Sequence, residues 1–150
     1  MLTYILIGMV IAIVIFSLIH PLLGIPSSQN TIPFLWIVLL FVITNCSLGM
    51  MISILFKDQA IAMDVAFVYN SPAFVFSGFT FPILAMPAFN SWYANLIPYT
   101  HFLKTYIKGM EMGSPFSFLI PQVVAMFIFI LVAYVTSVIG LQFHLKKAAR

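Results

Sequence analysis

The 25 residues from Ile32 to Phe56 carry no charge at all. A helix needs only about 20 mostly apolar residues to cross the hydrocarbon core of a bilayer. A run of that length, with no Lys, Arg, Asp or Glu to meet water, therefore sets lipid as the solvent. The rest of the 150-residue chain agrees. It is 63% hydrophobic and 6% charged, with a mean hydropathy of +1.17, whereas a water-soluble chain carries about 25% charged residues. Three further apolar runs lie at about residues 2–23, 60–81 and 116–143. They end at recognisable punctuation: Pro21, Gly24 and Pro26 after the first, Pro82 after the third, and a basic tail of Lys146, Lys147 and Arg150 after the last. The second run stops at Lys57-Asp58-Gln59, and Asp58 is placed to cap the helix that follows. The expectation is one all-α polytopic membrane domain over residues 1–150, with four transmembrane helices.

Several function classes fall away. A nucleotide-binding domain would lengthen the chain, and no phosphate loop of the form GxxxxGK[ST] is present. The six basic residues are scattered at membrane-flanking positions and form no patch, which argues against nucleic acid. Cys46 is the single cysteine, so one chain can build neither a disulfide nor a cysteine metal site. His20, His101 and His144 stand far apart and outside any HExxH motif. Ser77 has no evident base beyond a distant His101, so no catalytic residue or metal site is assigned. Residues 1–23 lack the basic start of a signal peptide and exceed its apolar length.

Residues 83–115 are apolar but contain Pro87, Asn90, Pro98, His101, Lys104, Lys108 and Glu111. Leu103, Tyr106, Ile107 and Met110 recur at helical spacing, opposite Lys104, Lys108 and Glu111. Phe89, Trp92, Tyr93 and Leu96 form a second short face ending at Pro98. Trp and Tyr favour the headgroup level, so two short interfacial or re-entrant helices are expected over about residues 86–113. Charge supports this arrangement. Four spans place Lys57, Lys146, Lys147 and Arg150 on one side against Lys104 and Lys108 on the other, whereas a fifth crossing would give three on each. The basic-rich side is cytoplasmic by the positive-inside rule. Both termini are thus expected inside, with residues 27–31 and 86–115 outside.

Ionisable groups within a span are costly and mark function by default. Asp64 lies about one to two turns into the third run, as a carboxylate near the interface paired with Lys57 or water, or as part of a relay. His20 is expected at the outer interface. Asn45, Gly49 and Ser53 recur at i, i+4 and i+8, as do Gly8 and Ala12 at i and i+4. Such stripes allow close helix approach; they suit intrachain packing, the polar wall of a conduit, or a dimer seam. Asn70-Ser71-Pro72 removes a backbone donor at mid-span, and Ser77-Gly78 follows, so a kinked or flexible helix is expected.

The string Ser71-Pro72-Ala73-Phe74-Val75-Phe76-Ser77-Gly78-Phe79-Thr80-Phe81-Pro82, then Met86-Pro87, then Ile97-Pro98-Tyr99-Thr100-His101-Phe102, resembles the membrane subunit of ABC-2 type exporters. The resemblance runs in order along nearly the whole chain and is most specific from Ser77 to Pro87. It implies spans three to six of a six-span permease, a paired re-entrant segment before the last span, and export of a hydrophobic or amphipathic substrate such as a drug. It further implies a second permease copy, surrounding lipid, and a separate cytoplasmic ATPase that binds ATP and magnesium, leaving no cofactor on this chain. A prokaryotic inner membrane is the expected location. Ser77, Gly78, Phe79, Phe81, Pro82, Met86 and Pro87 become outer gate or hinge residues. Pro98, Thr100, His101, Lys108 and Gly109 belong to the re-entrant segment, with Lys108-Gly109 standing where the family often has Arg-Gly. The competing expectation is a membrane scaffold or accessory subunit without its own conduit.

Overall fold

A computed structural model describes residues 2–19, 22, 31–56, 58–77 and 87–148. Every element among them is helical. Helix α1 (Leu2–Val14) continues as one wide turn over Ile15–Ile19. Helix α2 spans Thr31–Leu55 and α3 spans Gln59–Phe76. Two short helices follow, α4 (Ala88–Asn95) and α5 (Pro98–Tyr106), and α5 runs on as a wide turn through Ile107–Glu111. After a single tight turn at Phe116–Phe118 comes α6, Ile120–Ala148.

The local reasons are ordinary ones. Asp58 accepts from the Ala60 amide at 2.8 Å and caps α3 as expected. Pro72 lies inside α3, where it leaves the Val68 carbonyl without its helical donor, yet the helix continues to Phe76. Pro98 occupies the first turn of α5, the one place where a missing donor costs nothing. Gly113 takes a φ of +60°, the left-handed conformation that ends a helix and that a side chain would strain.

Two helices contain segments long and apolar enough to cross a membrane, Leu35–Leu55 and Ile120–Gln142, and Leu2–Leu18 is a shorter apolar one. The lipid-type surface is plain on α6, where Phe127, Leu131 and Tyr134 are each more than half exposed. The last apolar run was expected from residue 116; its helix begins instead at Ile120, because Pro115 and the tight turn at 116–118 come first. The third run was expected to reach residue 81; α3 ends at Phe76 with Ser77 as its cap.

The α2–α6 contact is the most extensive. Gly140 supports it, since a Cβ there would lie 3.0 Å from Ile54 Cγ2. Thr44 and Ser47 are buried and return their hydroxyls to the Leu40 and Ile43 carbonyls, at 2.7 and 2.8 Å. A Cβ on Gly8 would come within 2.9 Å of Val42, and Ala12 is buried. The Gly8-Ala12 stripe therefore packs α1 on α2. Ala12, Ile37, Val38, Met110, Leu119 and Met126 join these helices to the end of α5 in one apolar core.

The face that α5 turns inward is rotated away from its apolar stripe. Of Leu103, Tyr106, Ile107 and Met110, only Met110 is fully buried, and Ile107 faces outward. Pro98, Thr100, His101 and Thr105 are buried instead. Lipid explains the rotation: apolar side chains lose nothing by facing it, whereas hydroxyl and imidazole groups must find partners within the protein.

Candidate functional site

The hairpin formed by α4 and α5 is bound to three of the long helices. Its centre is His101. Nε2 lies 2.9 Å from the Asn95 carbonyl at the end of α4. A carbonyl only accepts, so Nε2 carries a hydrogen and donates it. Nδ1 lies 2.9 Å from Gln122 Oε1 on α6. That contact is satisfied in two ways, by a doubly protonated ring donating to the amide oxygen, or by a neutral ring accepting from the amide in its flipped orientation. Either way the one imidazole joins α4, α5 and α6. Phe129 of α6 adds a ring contact at 5.9 Å.

Other contacts complete the attachment. The Tyr69 hydroxyl donates to the Leu96 carbonyl at 3.0 Å, tying α3 to the hairpin elbow. Phe76 meets Tyr93 edge to face, with centroids 5.7 Å apart, and Phe41 of α2 stacks on Phe102 at 4.3 Å. Lys104 Nζ donates to Asn95 Oδ1 at 3.0 Å. Burial, and secondarily the charge of Lys108, holds the Lys104 ammonium below the usual lysine range.

The expected site residues divide as follows. Pro98, Thr100 and His101 are buried together in the hairpin, and Thr100 Oγ1 has no hydrogen-bond partner among the described residues. Gly109 is buried, with its Cβ direction 3.3 Å from Leu119, so it fits the hairpin against the start of α6, while Lys108 is half-buried. Ser77 is buried at the end of α3 and Pro87 is exposed at the start of α4. The other gate or hinge residues, Gly78, Phe79, Phe81, Pro82 and Met86, lie outside the described residues, as do Lys57 and His20. Asp64 is exposed on α3 beside a cavity of about 420 Å³ lined by Val65, Val68, Tyr69 and Tyr93. Among the described residues no group of three metal-binding side chains occurs.

Asn45, Gly49 and Ser53 are all exposed, and nothing lies within 4 Å of a Cβ on Gly49. This stripe is not packed over by the described residues. It lines an open cavity of about 540 Å³ with Tyr4 of α1, Cys46 and Met50. The small residues that do pack α6, Ala133, Ser137 and Gly140, escaped the sequence reading although their i, i+4 and i+7 spacing was available. Gln122 and Tyr69 escaped it too, because their partners are 21 and 27 residues away.

A bundle of apolar helices holding a bound helical hairpin is the make-up of an all-α membrane protein. A family model for ABC-2 type transporters matches residues 1–111, and the chain belongs to that family. The match covers α1 to α5 and stops at the end of the wide turn after α5. No curated protein and no solved structure matches the chain.

Proposed function

We propose that this chain is the permease subunit of an ATP-driven exporter for a hydrophobic or amphipathic substrate, and that it acts as a dimer. Helices α1, α2, α3 and α6 are its four spans, both termini are cytoplasmic, and the α4–α5 hairpin caps the bundle on the outside of a prokaryotic inner membrane. ATP and magnesium belong to a separate ATPase, which opens and closes the permease pair. Ser77 and the segment that follows it supply the outer hinge and gate. The observation that carries this reading over a scaffold is the exposure of Asn45, Gly49 and Ser53. A scaffold would bury such a stripe within its own bundle; polar groups at membrane depth that face away from it serve a partner or a conduit.

The arrangement has a direct test in a Cys46→Ala background. A cysteine at Ser114, or one at Ser28, should react with a membrane-impermeant maleimide added to intact cells. Reaction only after the cytoplasmic side is opened would reverse the topology and remove the outer cap.

A further inference from the structure

A third cavity, of about 250 Å³, opens where α2, α3 and α5 meet, lined by Phe41, Asn45, Asn70, Ala73 and Tyr99. Its polar groups are unusually well defined. Asn45 Nδ2 donates to the Phe41 carbonyl at 2.9 Å, and Asn70 Nδ2 donates to the Ala66 carbonyl at 3.0 Å. Each bond fixes its amide, because the carbonyl must face an N–H. What remains on each is an amide oxygen and one N–H, pointing away from its own helix. The Tyr99 hydroxyl adds a further group on the cavity wall that can both donate and accept. The floor is aromatic: Phe41 is 6.1 Å from Tyr99 and stacked on Phe102. Asn45 also lines the larger cavity with Tyr4, Cys46 and Met50. A hydrogen-bonding pocket and a mostly apolar groove therefore adjoin at one residue.

Asn70 and Tyr99 come from α3 and α5, so this is not a property of the α2 stripe alone. Two amides and a phenol at membrane depth cannot be satisfied by acyl chains. Nor does any charged residue among those described line either cavity. Groups that both donate and accept, without charge, complement a head of the same kind, whereas an anionic head would find no counter-charge there.

We propose that Asn45, Asn70 and Tyr99 bind the uncharged, hydroxyl- or amide-bearing head of an amphipathic substrate, whose apolar tail lies along the groove at Cys46 and Met50. This rests on the permease reading and deepens it by naming a substrate class and the residues that select it. The 250 Å³ volume suits a head group, since a cavity of about 150 Å³ takes a benzene ring.

The test uses the assembled protein in nanodiscs and two photoreactive probes of equal tail length, a diazirine-bearing octyl glucoside and its sulfate counterpart. Adducts are mapped by mass spectrometry and normalised to the lipid-facing surface of α6 around Leu131, which serves as the internal reference. The glucoside should label the Phe41–Met50 segment in preference to that reference, and the anionic probe should not. Asn45→Leu with Asn70→Leu should reduce the preferential labelling about tenfold, the size expected when two hydrogen bonds are lost. Equal labelling by both heads, or labelling no stronger than at Leu131, would overturn the proposal. So would a disulfide between two copies at Asn45→Cys, which would put a second permease on the site. None of these outcomes bears on whether an ATPase assembles with the chain, so the permease reading stands or falls separately.

Discussion

Replacing His101 with Leu should destabilise the protein by about 2–4 kcal/mol, since it removes two hydrogen bonds and leaves acceptors behind, each costing about 1–3 kcal/mol. The volume of the site is nearly kept, so the loss reports the polar attachment and not a cavity. The groups left unsatisfied are the Asn95 carbonyl and the Gln122 amide, which belong to different helices. Gln122→Leu should reproduce part of the effect. The double variant should fall well short of the sum, because residues sharing one bond couple by about 0.5–3 kcal/mol. Unfolding in mixed micelles gives the energies, and proteolysis at the Leu96-Ile97 elbow shows whether the hairpin is released first. A fully additive pair would mean that His101 and Gln122 do not hold each other.

Gly140→Val should cost about 1–3 kcal/mol, the range for overpacking a fitted contact. A Cβ at 3.0 Å from Ile54 Cγ2 already forces the pair apart, and Ile54 is β-branched and slow to yield. Close backbone approach is also the main source of attraction between helices in lipid, where burial of apolar area adds little. Gly49→Val is the matched control. It makes the same chemical change on the facing partner of that contact, α2, but into open space, and should stay within about 0.5 kcal/mol. The pair of variants separates a seam inside the chain from a surface reserved for something outside it. Equal losses at both positions would show that the α2 stripe is covered within the bundle.

How legible each part was depended on which solvent the reading assumed. Helices α2 and α6 follow from uncharged runs of spanning length, and the hairpin from the Pro87 and Pro98 breaks with Trp and Tyr between and around them. The inward face of α5 was not assigned from the sequence, because an apolar stripe marks the buried side only when water lies opposite. Against lipid, Thr100, His101 and Thr105 turn inward and Ile107 turns out. The exposed stripe at Asn45, Gly49 and Ser53 was visible as a pattern, but its side could be settled only by knowing what α1 and α6 leave uncovered. The His101–Gln122 pair and the meeting of Asn45 with Asn70 join residues distant in sequence, and no local periodicity encodes them.

Family membership and the outward polar face support the proposal that the chain is one part of an ATP-driven machine. The most direct measurement is purification of the chain from its native membrane into nanodiscs, followed by assay for ATP hydrolysis. The account predicts co-elution of a chain carrying a GxxxxGK[ST] phosphate loop, with hydrolysis that is abolished when that loop's lysine is replaced. A chain that elutes without such a partner, and without nucleotide hydrolysis, would contradict it.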